Sequence, residues 1–440
     1  MSEGLLQERL RRLRRPAGAG GPAGPSSDLE RLEETLVGEP ASGLSLKERL
    51  ERLVAVAAHR ERRCPEPVPL EELLQGRRME NSRGEFYLIE SDVHLESLHG
   101  HVSLSRFRSL LPGSVGILTG ETELDAFDLS NAVFLDTETT GLAGGTGTAA
   151  FLVGIGFVDR ERFRVRQYFM RDYHEEAALL AALAEDLRRF SQLVTFNGKM
   201  FDVPLLETRY NLDRNRFPLS EAPHLDLLHP ARRLWRARLE SCRLQLLEAE
   251  LLGLRRSGDI GGDEIPRIYF DYVRRRDARA IARVFRHNQL DILSLAALAV
   301  LACQWVEEGW AEDPRDVYSL ARVLERARLY ERSEAEYRRT VERDRGALRV
   351  AALVRLASRA KRAGDVSRAA ELWRQAGEAG DLLALRELAV HHEHRSRELA
   401  AAVAAVDRGL ELADRRGAPR AAEEFRHRRE RLLRKLARAR

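Results

Sequence analysis

An α/β domain followed by an all-α domain of stacked helical hairpins is the architecture this sequence predicts, and three observations predict it. Between about Asn131 and Glu308, short apolar runs of strand character alternate with stretches of helical periodicity. Beyond about Asp313 a helix–turn–helix pattern recurs at an interval of roughly 33 residues. The chain has 440 residues, 44% hydrophobic and 32% charged. At ~150 residues per domain that is ordinary globular material for two or three domains.

The elements follow in order. Residues 1–27 read as a basic helix (leucines alternate with arginines over Leu5–Leu13) and a Pro/Gly/Ser linker from Pro16. Residues 28–129 read as an accessory region, partly disordered. It holds a helical patch over Asp28–His59, a break at Cys64–Pro69, and short strands at Glu85–Glu90 and Gly116–Leu118. The α/β domain is placed at 130–308. Its strands are expected at Ala132–Leu135, Phe151–Val158, Phe163–Met170, Leu193–Phe196 and about His224–Leu228. Glu175–Phe190 has acidic residues early and arginines late, which suits a helix dipole, and a further helix covers about Val203–Asn211. Three hairpin-like helical units fill 313–415, with Ala321, Leu329, Ala335 and Tyr337 spaced as in a tetratricopeptide unit and a second copy around Leu353, Leu356, Ala360 and Trp373. A basic helix closes the chain at 416–440, expected as a solvated cap.

Charge constrains partners only mildly: 73 Lys and Arg stand against 69 Asp and Glu, net +4. Lysine appears only at Lys47, Lys199, Lys361 and Lys435, so arginine carries the positive charge. Arginine grips phosphate bidentately, which permits nucleic acid, though an arginine-rich composition alone explains the count equally well. No uncharged apolar run approaches ~18 residues, so no membrane span is expected. Met1–Arg15 has five arginines and no apolar stretch behind it, so no secretory signal is expected. Cys64, Cys242 and Cys303 stand far apart, which points away from disulfides and structural zinc and toward the cytoplasm.

Four acids stand at element ends in the α/β domain. Asp136 and Glu138 are two apart after the first strand and face one side of an extended chain. Asp202 opens a helix after Asn197-Gly-Lys-Met-Phe201, and Asp291 lies four residues beyond His287 on one helical face. Phosphodiester hydrolysis needs an attacking water, charge neutralisation and a stabilised leaving oxygen, which two divalent ions supply together. Hard cations need converging carboxylate oxygens, and a histidine nearby can orient or deprotonate the water.

Asp136-Thr-Glu138-Thr-Thr-Gly141 resembles the first motif of the DEDD 3′–5′ exonuclease superfamily, Asn197-Gly-Lys-Met-Phe-Asp202 its second, and His287-Asn-Gln-Leu-Asp291 its third. With Asp259-Ile-Gly-Gly262 and Ile265-Pro266, the pattern is similar to the YprB-type family of bacterial ribonuclease-H-like proteins, which also carry C-terminal tetratricopeptide repeats. The resemblance spans about residues 80–305 and, more loosely, the repeats. It implies a ribonuclease-H-like fold, Asp136, Glu138, Asp202 and Asp291 as ligands of two Mg²⁺ or Mn²⁺ ions, and His287 as the water-orienting or base residue. One departure is visible: the histidine subclass uses H-x4-D, whereas this chain has the H-x3-D spacing of the tyrosine subclass. The expected activity is a 3′–5′ exonuclease on DNA or RNA, with a protein partner on the repeats. A non-catalytic nucleic-acid adaptor and a structure-selective endonuclease are the alternatives. Thr137, Thr139, Asn197, Lys199 and Asn288, all within the motifs, are the candidate substrate contacts, with Asn197 equally a helix cap.

Weaker signals have blander readings. Gly144-Gly-Thr-Gly147 lacks the Lys-Ser/Thr of a phosphate-binding loop and reads as a turn. His224, Asp226 and His229 read as a strand end supporting the acidic cluster rather than as a zinc site, and Trp305, Trp310 and Trp373 as core.

Overall fold

A computed structural model describes Glu48, residues 66–141 and residues 147–439. The N-terminal basic helix, the linker, the Asp28–His59 patch apart from Glu48, Cys64 and most of the 144–147 turn lie outside the described residues.

Seven strands form one mixed sheet: β1 (Gly76–Asn81), β2 (Gly84–His94), β3 (Val133–Thr139), β4 (Ala150–Asp159), β5 (Arg162–Phe169), β6 (Leu193–Thr195) and β7 (His224–Asp226). Their order is β1-β2-β5-β4-β3-β6-β7. Neighbours are antiparallel except β3–β6 and β6–β7, which run parallel. Strand β4 is buried over Ala150–Phe157 and gives its apolar side chains to one core, β5 gives Phe163 and Val165 to a second core and Tyr168 and Phe169 to the first, and β3 alternates between the two. In β3, Val133 and Leu135 enter one core and Phe134 the other.

Helices α1 (Glu176–Leu187), α2 (Asp202–Leu212), α3 (Leu228–Trp235) and α4 (Ile265–Arg275) cover the sheet, and α5 (Ala278–Glu308) crosses it. The first turns of α5 place Ile281, Val284 and Phe285 in one core, and its later turns place Ile292 to Val306 in the other. This 31-residue helix is long and apolar enough to cross a membrane by length and composition, although most of that stretch is buried inside the protein. It begins at an Asp277 cap and stops at Gly309, whose φ of 73° ends the helix in the left-handed conformation.

Two expectations need correcting. Residues 68–129 are not an appendage: β1 and β2 extend the same sheet, because Tyr87–Ile89 are apolar and pair with β5. Gly116–Leu118 is not a strand but part of a short helix, Ser114–Thr119, which buries Val115 and Leu118 at i,i+3 spacing between left-handed Gly113 and Gly120.

Seven further helices follow: α6 (Pro314–Arg326), α7 (Tyr330–Arg343), α8 (Ala347–Arg362), α9 (Val366–Glu378), α10 (Leu382–His394), α11 (Leu399–Arg415) and α12 (Pro419–Ala439). The first helices of successive hairpins start 33 and 35 residues apart. Asp313, Asp365 and Asp381 cap α6, α9 and α10 by accepting backbone N–H bonds at 2.9, 3.0 and 2.7 Å. The array is fused to the sheet domain, since Val317, Leu320, Val323 and Leu324 of α6 belong to the core that holds α3 and α5. Trp373 is buried and Trp305 packs edge-on against Trp235, but Trp310, expected inside, is 54% exposed, because it sits in the short link after Gly309. The terminal helix buries Ala422, Phe425 and Leu432. Arg431 and Lys435 hold the carboxylate of Glu393 at 2.5 and 2.7 Å.

Candidate active site

Strand β3 carries Asp136-Thr137-Glu138 across the middle of the sheet. Asp136 pairs in register with Gly154 of β4, and the ladder slips between Glu138 and Thr139. Such a bulge bends the strand and re-aims its side chains. Helix α5 lies directly over β4 at this point. A Cβ on Gly154 would stand 2.2 Å from Asn288 Oδ1 and 2.4 Å from Ile292 Cδ1, so glycine here is what admits the helix. The close approach lets Asn288 Nδ2 donate to Asp136 Oδ2 at 2.8 Å. Asn288 Oδ1 in turn accepts from Gln167 Nε2 at 2.9 Å.

Asp202 is the first residue of α2, where a carboxylate also meets the positive end of the helix dipole. Its Oδ1 accepts from the backbone N–H and hydroxyl of Thr137 at 3.1 and 2.5 Å, which ties the second motif to the first. The loop before it is held by Asp226 at the end of β7, which accepts from the backbone N–H of Asn197 at 2.7 Å and of Lys199 at 3.1 Å. Asn197 takes the left-handed conformation, φ 67°, to make that turn.

His287 Nε2 stands 3.5 Å from Asp291 Oδ2 and 4.0 Å from Glu138 Oε1. The motifs separated by 155 residues therefore meet. Electrostatics say the same. Burial, then the charges of Asp291 and Asp202, push the Asp136 carboxyl well above its usual range. Burial, then Asp136, Asp291 and Asp202, do the same to Glu138. Burial raises Asp202 to about 6 against the opposing Thr137 bonds, and burial also raises Asp291.

Thr137 is spent on Asp202, Thr139 Oγ1 donates to the Gly141 carbonyl at 2.8 Å, and Asn288 is fully buried with both polar atoms engaged. These three are built into the site's framework, whereas Lys199 is exposed beside it. Asn197 does not cap α2, whose first turn has no side-chain cap. His224 bonds Thr195 at 2.8 Å, and burial followed by the Lys199 charge pushes its imidazole down to about 4. His229 is exposed, so the His-x-Asp-x2-His group is a strand end whose Asp226 supports the loop before Asp202.

Two residues with no role foreseen in the sequence complete the cluster. Arg256, in the loop between Leu252 and α4, ion-pairs with Asp291, binds Glu248 at 2.7 Å through Nε, and reaches Asp259 Oδ2 at 3.0 Å. Asp259 Oδ1 lies 2.9 Å from His287 Nδ1. Burial works against the Asp259 charge, but the His287 contact, the Ile260 N–H and the Arg256 charge together outweigh it and leave the carboxyl below its usual range. Arg256 sits in an Arg-Arg pair of an arginine-rich chain, which carries no periodicity or motif signal. Asp259 was visible only as part of Asp-Ile-Gly-Gly.

Among the described residues no three His, Cys, Asp or Glu side chains form a ready-made coordination shell: Asp291 is turned onto Arg256 and Asp202 onto Thr137. The chemistry of the donor set nevertheless fits a hard cation. Four carboxylates share one partly buried place, where the charges of Asp202 and Asp291 make Asp136 harder to ionise and those of Asp136, Asp202 and Asp291 do the same to Glu138, which a divalent ion would reverse.

Comparison with known proteins agrees with this architecture. Residues 133–303 match the model of the RNase_H superfamily. A relative, the "Uncharacterized protein YprB" of Bacillus subtilis (strain 168), is 36% identical over 219 residues. That alignment covers 49% of this chain, and the chain spans about half (53%) of the relative's length. The sheet domain is thus ribonuclease-H-like over residues 133–303 and similar to YprB, and it is followed by an all-helical region.

Proposed function

We propose that this chain is a divalent-metal-dependent nuclease whose active site is the cluster of Asp136, Glu138, Asp202 and Asp291 with His287, acting as a 3′–5′ exonuclease on DNA or RNA. One observation carries the reading: β3, α2 and α5 bring the acids together, with Asp202 tied to β3 through Thr137 and His287 of α5 within 4.0 Å of Glu138 and Asp291, where burial first and neighbouring charge second make the Asp136 and Glu138 carboxyls resist ionisation. Such a cost is kept where charge is used. The four acids would hold two Mg²⁺ or Mn²⁺ ions, which supply phosphate charge neutralisation and a more acidic water. The chain's own parts are an oriented acid on β3, held by Asn288, a second on α2, held by Thr137, and an imidazole Nε2 facing Glu138 and Asp291 as proton acceptor. The helical repeats, fused to the domain through α6, are proposed to dock a protein partner.

The test is hydrolysis of labelled single-stranded and duplex DNA and RNA with Mg²⁺ or Mn²⁺. Mononucleotides released from a 3′ end support the exonuclease; cleavage of a circle shows an endonuclease on the same site. D136A should abolish turnover without unfolding the protein. Turnover that survives D136A, or no turnover with either metal, removes the catalytic reading. The Arg256–Asp291 pair favours one second reading, because an arginine already neutralises an acid there: a non-catalytic adaptor. Metal-independent binding with a steep salt slope and no cleavage would identify it.

A further inference from the structure

We propose that Asp259 is the positioning residue of His287, fixing the imidazole as the Nδ1–H tautomer so that the Nε2 lone pair faces Glu138 and Asp291. The inference rests on the nuclease reading for its purpose, but its geometry stands alone. The H-x3-D spacing leaves the bearing of His287 undetermined, whereas the loop at 253–264 supplies what the motif lacks.

Both oxygens of Asp259 have defined work. Oδ2 receives Arg256 Nη1 at 3.0 Å and Gln245 Nε2 at 3.2 Å. That leaves Oδ1 for His287 Nδ1 at 2.9 Å, and a carboxylate can only accept, so the proton must sit on Nδ1. Arg256 Nη1 is also 3.3 Å from Nδ1, but two donors cannot bond each other. The shorter contact to an acceptor decides the tautomer. The loop itself is pinned by α5, since Arg283 Nη2 donates to the carbonyls of Gly258 at 3.0 Å and Asp259 at 3.4 Å. The imidazole is buried, so its ring is set by these contacts rather than by water.

Asp259→Asn turns this logic into an experiment. The amide keeps the size of the carboxylate. Facing the donors of Arg256 and Gln245, it must present its oxygen to them and its NH₂ to His287. The imidazole can then only accept at Nδ1, and its proton moves to Nε2, the wrong side for a base. Full-length, metal-free protein labelled with ¹⁵N-histidine, with H287A to assign the resonance, should show His287 as Nδ1–H in wild type and Nε2–H in D259N. In hydrolysis assays D259N should lose about 10²-fold or more in kcat with KM little changed, the usual scale of general-base catalysis. Asp259 acting through His287 also means that D259N/H287A is no slower than H287A alone. The same tautomer in wild type and D259N, or losses that add in the double variant, overturns the proposal. Absence of wild-type turnover would instead refute the nuclease reading, with the tautomer measurement still deciding this one.

Discussion

Replacing Asp202 by asparagine should stabilise the metal-free protein while destroying its function. The Asn Oδ1 can accept the same two bonds from Thr137, so shape and hydrogen bonding survive and only the charge is lost. In the folded protein the Asp202 carboxyl rises from 3.8 to about 6. A raised acid binds its proton more tightly when folded than unfolded, so folding loses stability as pH climbs through that window. The penalty is absent below pH ~4, grows to about pH 6 and is constant above. Two units at ~1.4 kcal/mol each put it at about 3 kcal/mol, a ceiling because the side chain is partly open to water. Urea unfolding in EDTA, followed by the fluorescence of buried Trp235, should show D202N more stable than wild type by up to that amount at pH 7.5, with the gap closing at pH 4. Mg²⁺ or Mn²⁺ should then raise wild type and leave D202N nearly unmoved, by about 2.7 kcal/mol at a hundredfold excess over Kd. A D202N protein that is less stable than wild type at pH 7.5, by the same margin at every pH, would refute the argument that repulsion and burial burden this carboxylate.

Three further outcomes are expected. G154A and G156A should each cost about 1–3 kcal/mol by crowding Ile292, but only G154A, whose Cβ also meets Asn288, should lower the specific activity of the folded fraction. R238A should strand the buried carboxylate of Asp316, which Arg238 Nε holds at 2.5 Å, and cost about 3–5 kcal/mol; faster proteolysis near residues 309–313 reports the loosened junction, and R238L/D316L should restore it. W373A should remove about 3–5 kcal/mol from the repeats, seen as an early unfolding step that leaves hydrolysis by the sheet domain intact, because Trp373 packs in a core separate from that domain.

Much of the fold was legible along the chain because its signals are local. A continuous apolar run marks β4, alternating apolar residues mark the start of β5, and the repeat spacing marks the helical hairpins. Local signals mislead where a segment's partner lies far away. The β1–β2 hairpin looked like an appendage because only its pairing with β5, some 75 residues on, makes it part of the sheet. Gly116–Leu118 looked like a strand because three residues cannot distinguish a period of 2 from one of 3.6. At the site, the acids were legible as motifs, but the duties of Thr137 and Asn288 were not. Their side chains are committed inward by neighbours that the chain order does not reveal.

Read along the chain, the residues settle an inventory: which carboxylates exist, on which elements they sit, and which helices can stack. Those properties depend on residue type and short-range periodicity. Tertiary structure alone decided the pairings. A glycine on β4 lets α5 settle close enough for Asn288 to hold Asp136, and a loop between Leu252 and α4 brings Arg256 and Asp259 against Asp291 and His287. Contacts of that kind arise from packing between distant segments, and no local pattern encodes them.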